Sequence, residues 1–200
     1  MANTDKFEMI AGMYDTPDRV HVAEVSSEAI RKYVVDAKGK RAIDFGCGTG
    51  LVGMSLLDEF GSVLFLDTSP NMLQQVKAKI AELAIQNADT LCFDFEQESP
   101  PELRADYIFM VQVLLHIPDV ELVLSRLYDA LNEGGHLLIV DFDTNERVVS
   151  DLVHNGFDQA ELADRMGRIG YRDVRSETFH TGRGLFMGQD ASMFVLDARK

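Results

Sequence analysis

Ala42-Ile43-Asp44-Phe45-Gly46-Cys47-Gly48-Thr49-Gly50-Leu51-Val52-Gly53 passes from a short apolar run into a glycine loop and then into a helical pattern. The apolar run suits a strand buried on both faces. The glycines permit positive φ and let a ligand approach the main chain. The helix that follows brings its free N-terminal amides to the same point. Gly48-Thr49-Gly50-Leu51-Val52-Gly53 also satisfies the G-x-G-x-x-G dinucleotide pattern, so the glycines alone leave two ligand classes open. No Gly-Lys-Ser/Thr follows, which removes a Walker-type phosphate loop.

Outward from this unit the chain alternates between two periodicities. Strands are predicted at Ser62–Asp67, Thr90–Phe95, Asp106–Gln112 and His136–Phe142. Helices are predicted from Leu51 to Gly61, from Pro70 to Gln86, from Val120 to Asn132 and from Gln159 to Gly170. Pro70 suits a first helical position, and Gly134–Gly135 closes the helix before the fifth strand. Such alternation specifies a mostly parallel sheet covered on both faces. Val174–His180 and Ser192–Ala198 then read as two strands joined by a loop from Thr181 to Ala191. That connection has three glycines and no helical stripe, too little for a parallel crossover, so an antiparallel hairpin is expected. Residues 1–36 precede the first strand and read as helical, above all Pro17–Val35, and Pro100–Pro101 marks a surface loop.

The bulk properties exclude several classes. Hydrophobic residues make up 46% of the 200-residue chain, enough for a substantial core. No apolar stretch approaches the roughly 18–20 residues of a membrane span, and the N-terminus lacks the charge and apolar pattern of a secretory signal. The expectation is a cytoplasmic protein with no membrane insertion. The net charge of −14, with 19 basic residues scattered along the chain, disfavours nucleic acid and anionic membrane surfaces. Cys47 and Cys92 have no metal spacing and no disulfide framework.

Acidic residues separate the ligand classes that the glycines leave open. Asp67 ends the second strand about twenty residues past the glycine loop, where it could accept both hydroxyls of a ribose. Asp44, directly before the loop, would oppose a pyrophosphate but suits a ligand bearing an ammonium or a sulfonium. Asp94 closes the third strand, placed to accept from an adenine amino group, with Phe95 beside it as an apolar wall. Three acids at the C-terminal ends of successive strands line one crevice.

These motifs, with Asp67-Thr68-Ser69 and Met72-Leu73, Leu115-His116-Ile117-Pro118-Asp119 and Leu131-Asn132-Glu133-Gly134-Gly135, resemble in their order those of class I S-adenosylmethionine-dependent methyltransferases. The likeness is strongest to the branch acting on small molecules, including quinone-biosynthesis C-methyltransferases, and covers about residues 40–200. It implies an α/β, Rossmann-like three-layer sandwich with a seven-stranded, mostly parallel sheet and a C-terminal antiparallel hairpin. One domain spanning 1–200 is expected, with residues 1–36 as a helical lid segment on a 40–200 core. The family implies that Gly46, Gly48 and Gly50 pack beside the methionyl portion, with Asp44 and Cys47 in the same loop. It implies that Asp67 binds ribose, with Thr68 and Met72 from its motif, and that Asp94 and Phe95 bind adenine. Val111 and Gln112, at the end of the fourth strand, would approach the methionyl ammonium and the substrate. Tyr14 resembles the family's N-terminal lid position; a packed amphipathic tyrosine reads equally well.

The activity implied is transfer of a methyl group from S-adenosyl-L-methionine to a small-molecule acceptor, with S-adenosyl-L-homocysteine as product. Alignment of nucleophile, methyl and sulfur in a dry pocket carries such a displacement. His116 is the candidate base or positioning residue, against a capping or packing role. Asp141, Asp143 and Asn145 invite a metal reading, but the fourth strand presents Val111-Gln112 instead of an acid, and no metal is expected. No Asn/Asp-Pro-Pro-aromatic motif follows the fourth strand and no Pro-Cys occurs there, which argues against methylation of nucleic-acid bases. The N-terminal helices and the loops around residues 143–156 and 181–191 are expected to shape the acceptor site. The Met- and Phe-bearing stretches Met9–Tyr14 and Leu185–Met193 suit an apolar acceptor pocket or a packed core. Two rivals remain: an S-adenosylmethionine-binding sensor or partner subunit, and an NAD-dependent oxidoreductase. The chain is expected as a monomer or homodimer.

Overall fold

A computed structural model describes residues 11–97 and 102–200. The first ten residues of the expected lid and the Pro100–Pro101 loop lie outside the described residues. A short 3-10 turn at Ala11–Met13 leads to helix α1 (Pro17–Arg31), which begins on Thr16 as N-cap with Pro17 at its first position. Strand β1 (Arg41–Phe45), helix α2 (Leu51–Leu56) and strand β2 (Ser62–Asp67) follow. Helix α3 (Pro70–Glu82) is capped by the Ser69 hydroxyl, which accepts from the Met72 amide at 3.1 Å. Strands β3 (Ala88–Cys92) and β4 (Ala105–Val111) precede a 3-10 turn at Leu114–His116. Helix α4 (Val120–Ala130), capped by Asp119, runs directly into β5 (Leu131–Phe142). Helix α5 (Gln159–Ile169) and the strands β6 (Arg172–Phe186) and β7 (Gln189–Arg199) complete the chain.

All seven strands form one sheet in the order β3-β2-β1-β4-β5-β7-β6. β7 runs antiparallel to both of its neighbours, and the remaining pairings are parallel. The strand order reverses between β1 and β4, the point at which open α/β sheets bind ligands beyond the carboxyl ends of their strands.

Alternation within each strand divides the core into two layers. Ala42, Phe65, Phe109, Val140 and Val195 face the side packed by Ile30 of α1, Leu56 of α2 and Val76 of α3. Ile43, Leu66, Met110, Ile139 and Leu196 face the side packed by Leu124 and Leu127 of α4 and Met166 of α5. Burial of one such side chain contributes roughly 1.5–3 kcal/mol, and covering both faces is why these strands read as unbroken apolar runs.

The C-terminal region differs from the sequence expectation in one respect. The stretch Thr181–Ala191 is not a long loop: β6 continues to Phe186, β7 begins at Gln189, and only Met187–Gly188 turn the chain. Both turn residues have positive φ, 51° and 79°, which a two-residue hairpin turn needs to match the twist of its strands. The glycines at 182 and 184 lie within the ladder, where the register shifts between Gly182 and Phe186. The partner strand supplies the pairing that local propensity withholds.

Candidate functional site

At the carboxyl ends of the parallel strands the glycine loop separates two clefts that share Tyr14, Gly46, Gly48, Val111 and Gln112. The loop is tied to β2, since the amides of Gly46 and Cys47 both donate to the Leu66 carbonyl at 2.8 and 3.0 Å. Gly46 has φ +67°, and a Cβ there would lie 2.6 Å from Cγ2 of Val113. A glycine is therefore needed for the loop to meet the segment that leaves β4. That segment begins on Gln112, which holds a φ of 55° and donates its amide to the Val140 carbonyl at 2.8 Å. A non-glycine residue in this region costs about 1–3 kcal/mol, and such positions cluster at functional sites.

The first cleft, open to solvent, brings together most of the residues singled out in the sequence. Gly46, Gly48, Asp67, Thr68, Met72, Asp94, Phe95, Val111, Gln112, His116 and Tyr14 all line it. Asp67 accepts from the amides of Gly48 and Ser69, each at 2.8 Å, so its carboxylate sits against the glycine loop. Asp94 lies two residues beyond the end of β3 and accepts from the Glu96 amide and the Gln97 side chain, both at 2.8 Å. Phe95 is buried, edge-on to Phe45 at 5.1 Å and to Phe93 at 5.4 Å between ring centroids. Among the described residues the lining carries three carboxylates, Asp67, Asp94 and Glu96, with His116 and neither Lys nor Arg. Burial, followed by the nearby carboxylates of Asp94 and Asp119, raises the Glu96 pKa.

Three candidates lie elsewhere. Gly50 lines neither cleft; it is the N-cap of α2 at φ +82°, where a Cβ would press on Val76 and Phe65. Cys47 and Asp44 face the second cleft only. Burial pushes the Cys47 thiol well up, which keeps it protonated and a poor nucleophile. The Asp44 carboxyl is buried beneath the loop and accepts from the Gly53 amide at 3.0 Å. Burial raises its pKa to about 8, with that hydrogen bond opposing the shift.

Tyr14 is fastened over the loop by contacts that no local pattern in the sequence announces. The Arg19 guanidinium lies 4.0 Å from the Tyr14 ring centroid, and Nη1 donates to the Tyr14 carbonyl at 3.1 Å. Asp15 accepts from Thr49 Oγ1 and pairs with Lys79 Nζ at 2.8 Å, which joins the N-terminal segment to the glycine loop and to α3. Burial, then the carboxylates of Asp67 and Asp15 against the opposing effect of Arg19, raises the Tyr14 pKa and keeps its hydroxyl protonated.

His116 closes the 3-10 turn after β4, and Asp141 holds that turn in place. Its Oδ2 accepts from the Leu115 amide at 3.1 Å and its Oδ1 from the Phe142 amide at 2.9 Å. Burial raises the Asp141 pKa to about 7, against these amide hydrogen bonds. Asp143 accepts from Gln159 and Thr178, and Asn145 donates to the Asp190 carbonyl at 2.9 Å. These three residues fasten the loop, and no group of metal-ligating side chains is found among the described residues. None of residues 143–156 lines either cleft. His154 instead braces the turn, donating its amide to the Leu115 carbonyl at 2.8 Å. Of residues 181–191, Gly182, Arg183, Gly184 and Leu185 line the second cleft.

Comparison with known proteins agrees with this architecture. The protein family described as "Methyltransferase domain" matches residues 43–137. Phosphoethanolamine N-methyltransferase 2 of Caenorhabditis elegans is 31% identical over 153 residues, covering 70% of this chain and 34% of that protein. Demethylmenaquinone methyltransferase of Listeria monocytogenes is 29% identical over 143 residues, 68% of this chain and 60% of that protein. The chain thus spans about a third of one relative and under two thirds of the other. The crystal structure of a SAM-dependent methyltransferase from Aquifex aeolicus superimposes with a TM-score of 0.73 at 20% identity, over 99% of this chain and 98% of that one, a likeness of fold. Residues 43–137 thus match a methyltransferase domain family, and the reversed strand order with its antiparallel β7 gives the chain a Rossmann-like fold shared with the Aquifex aeolicus structure.

Proposed function

We propose that the chain binds S-adenosylmethionine in the first cleft and transfers its methyl group to a small-molecule acceptor. The sign of the charge in that cleft carries this reading. Three carboxylates, with no Lys or Arg among the described residues of the lining, would repel the pyrophosphate of a dinucleotide, whereas they favour a ligand bearing a sulfonium and an ammonium. The surfaces fit the parts of that ligand as well. Asp67, already an acceptor of two amide hydrogen bonds at the loop, would take the ribose hydroxyls. Asp94 and the Phe93–Phe95 pair would hold adenine between a carboxylate and apolar walls. Gly46 and Gly48 leave main chain open where the methionyl portion would lie.

When bound, S-adenosylmethionine would supply a methyl carbon activated by its sulfonium for displacement by the acceptor's lone pair, with the carbon–sulfur electron pair going to S-adenosylhomocysteine. The chain's own work is to align and to dry the site. Tyr14, held by Arg19, would cover the cleft and exclude water. His116 would receive the acceptor's proton where the nucleophile must lose one, and Gln112 would orient acceptor or donor by hydrogen bonding. Residues 1–200 would work as one cytoplasmic unit, as a monomer or homodimer without nucleic acid. No helix among the described residues is long and apolar enough to cross a membrane.

Calorimetric titration with S-adenosylmethionine, S-adenosylhomocysteine and NAD tests the reading, alongside the Asp67→Ala variant. Adenosyl ligands should bind and NAD should not. Loss of two charge-assisted hydrogen bonds in the variant should weaken binding by about 10²-fold or more. Binding of NAD alone would overturn the proposal. Adenosyl binding without turnover across a broad panel of small acceptors would favour a sensor or partner subunit.

A further inference from the structure

The second cleft, unlike the first, carries basic side chains among its described residues. Acidic residues outnumber basic ones 33 to 19 in the chain, yet this cleft gathers Arg19, Arg183, His21 and His180. Its acids are Asp18, exposed at the rim, and Asp44, whose carboxyl is buried beneath the glycine loop on the Gly53 amide. The walls come from α1 and β6, both outside the segment that matches the methyltransferase family. Lys32, the C-cap of α1, pairs with Glu177 of β6 at 2.9 Å, and the rings of His21 and His180 meet edge-on at 6.0 Å.

The backbone builds this arrangement at some cost. Between Gly182 and Phe186 the pairing of β6 with β7 slips, so extra residues bulge from β6 and place Arg183 on the cleft. Bulges of this kind re-aim side chains and recur beside active sites. Asp190, the carboxylate opposite the bulge, accepts from the Gly184 amide at 2.9 Å and so stabilises it. Among the described residues no carboxylate forms an ion pair with Arg183. Arg19 already stacks on Tyr14 and donates to its carbonyl, which leaves Arg183 as the guanidinium open to a ligand in this cleft.

We propose that the methyl acceptor of this chain carries an anionic oxyacid group, a carboxylate or a phosphate, held in the second cleft by Arg183 with His180 and His21. A guanidinium presents a planar fork that matches either oxyanion with two parallel hydrogen bonds, and the two imidazoles add donors beside it. The clefts meet at Gly46, Gly48, Val111 and Gln112, so an acceptor anchored by its anion would extend its nucleophile toward the methyl donor. This assignment rests on the reading of the first cleft as the donor site.

Inorganic phosphate and succinate serve as probes, titrated calorimetrically into wild type, Arg183→Ala and Arg183→Lys, each with and without saturating S-adenosylhomocysteine. Arg183 is exposed on a strand bulge, and unchanged melting temperatures would verify that the variants fold. Wild type should bind at least one probe, which separates phosphate from carboxylate recognition. Arg183→Ala should weaken that binding about tenfold or more, with partial recovery in Arg183→Lys and unchanged affinity for S-adenosylhomocysteine. The proposal is overturned if wild type binds neither anion in either condition, or if Arg183→Ala binds it equally well. It is also overturned if Arg183→Ala loses S-adenosylhomocysteine, because Arg183 would then belong to the donor. Failure of wild type to bind S-adenosylhomocysteine would instead sink the donor-site reading, and the anion titration without that ligand would still report on Arg183.

Discussion

Replacement of Gly53 by alanine distinguishes a local from a tertiary account of the glycine loop. Gly53 sits inside α2, where alanine is favoured over glycine by about 1 kcal/mol on helix propensity alone. A Cβ at this position would lie 2.4 Å from Cε1 of Phe65 and 2.5 Å from Oδ2 of Asp44. Phe65 is fully buried and cannot swing aside, so the overpacking should cost about 1–3 kcal/mol. Displacing Asp44 also breaks its 3.0 Å hydrogen bond to the Gly53 amide and leaves a buried acceptor unpaired, another cost of about 1–3 kcal/mol. Less the propensity gain, Gly53→Ala should destabilise the fold by about 3 kcal/mol, or lower the melting temperature by roughly 6–12 °C for a chain of this size. Gly167→Ala is the matched control: it is exposed in helix α5, and a Cβ there would meet nothing within 4 Å. That variant should gain up to about 1 kcal/mol. Urea unfolding monitored by circular dichroism measures both. Gly53→Ala at or above wild-type stability would refute the reasoning, because the close packing of α2 on Phe65 and Asp44 would then carry no energetic weight.

Two further predictions concern titration and catalysis. Burial raises the pKa of Asp44 to about 8 and of Asp141 to about 7, above the ordinary 3.8, so the folded chain keeps these protons longer than the unfolded one. Their stabilising contribution is complete below 3.8 and is lost as pH rises through about 7 to 8, so Asp44→Asn with Asp141→Asn should flatten the stability profile across that window. Urea midpoints of wild type and double variant that stay parallel from pH 4 to 9 would contradict this. His116→Asn should lower kcat by about 10²–10⁴-fold on an acceptor that must lose a proton, with little change in affinity for S-adenosylhomocysteine. An unchanged kcat in steady-state assays would return His116 to the packing of its turn.

The order of elements was legible along the chain because its signals are local. Pro17 and Pro70 stand at helix starts, Asp119 caps the fourth helix, and the apolar runs ending at Phe45 and Asp67 are strands. The spacing of Asp67 and Asp94 behind the glycine loop likewise placed them on one cleft, since parallel strands of matched register end at one edge of the sheet. Asp44 was legible as an acid of the loop, but not as one turned beneath it. Its place depends on Gly53 admitting the carboxyl to the helix amide, a contact between layers.

The hairpin shows the division most clearly. Thr181–Ala191 carries the glycines of a loop, and its local preferences say no more than that. Pairing with β7 draws the same residues into the ladder, because a neighbouring strand satisfies backbone groups that an isolated segment must leave to water. Period, capping and turn chemistry therefore determined the α/β alternation and the glycine-loop cleft from the sequence itself. The gathering of basic side chains at the second cleft was decided by tertiary structure alone. Arg19 and His21 meet His180 and Arg183 across some 160 residues of chain, and only the register of the last two strands brings them to one wall.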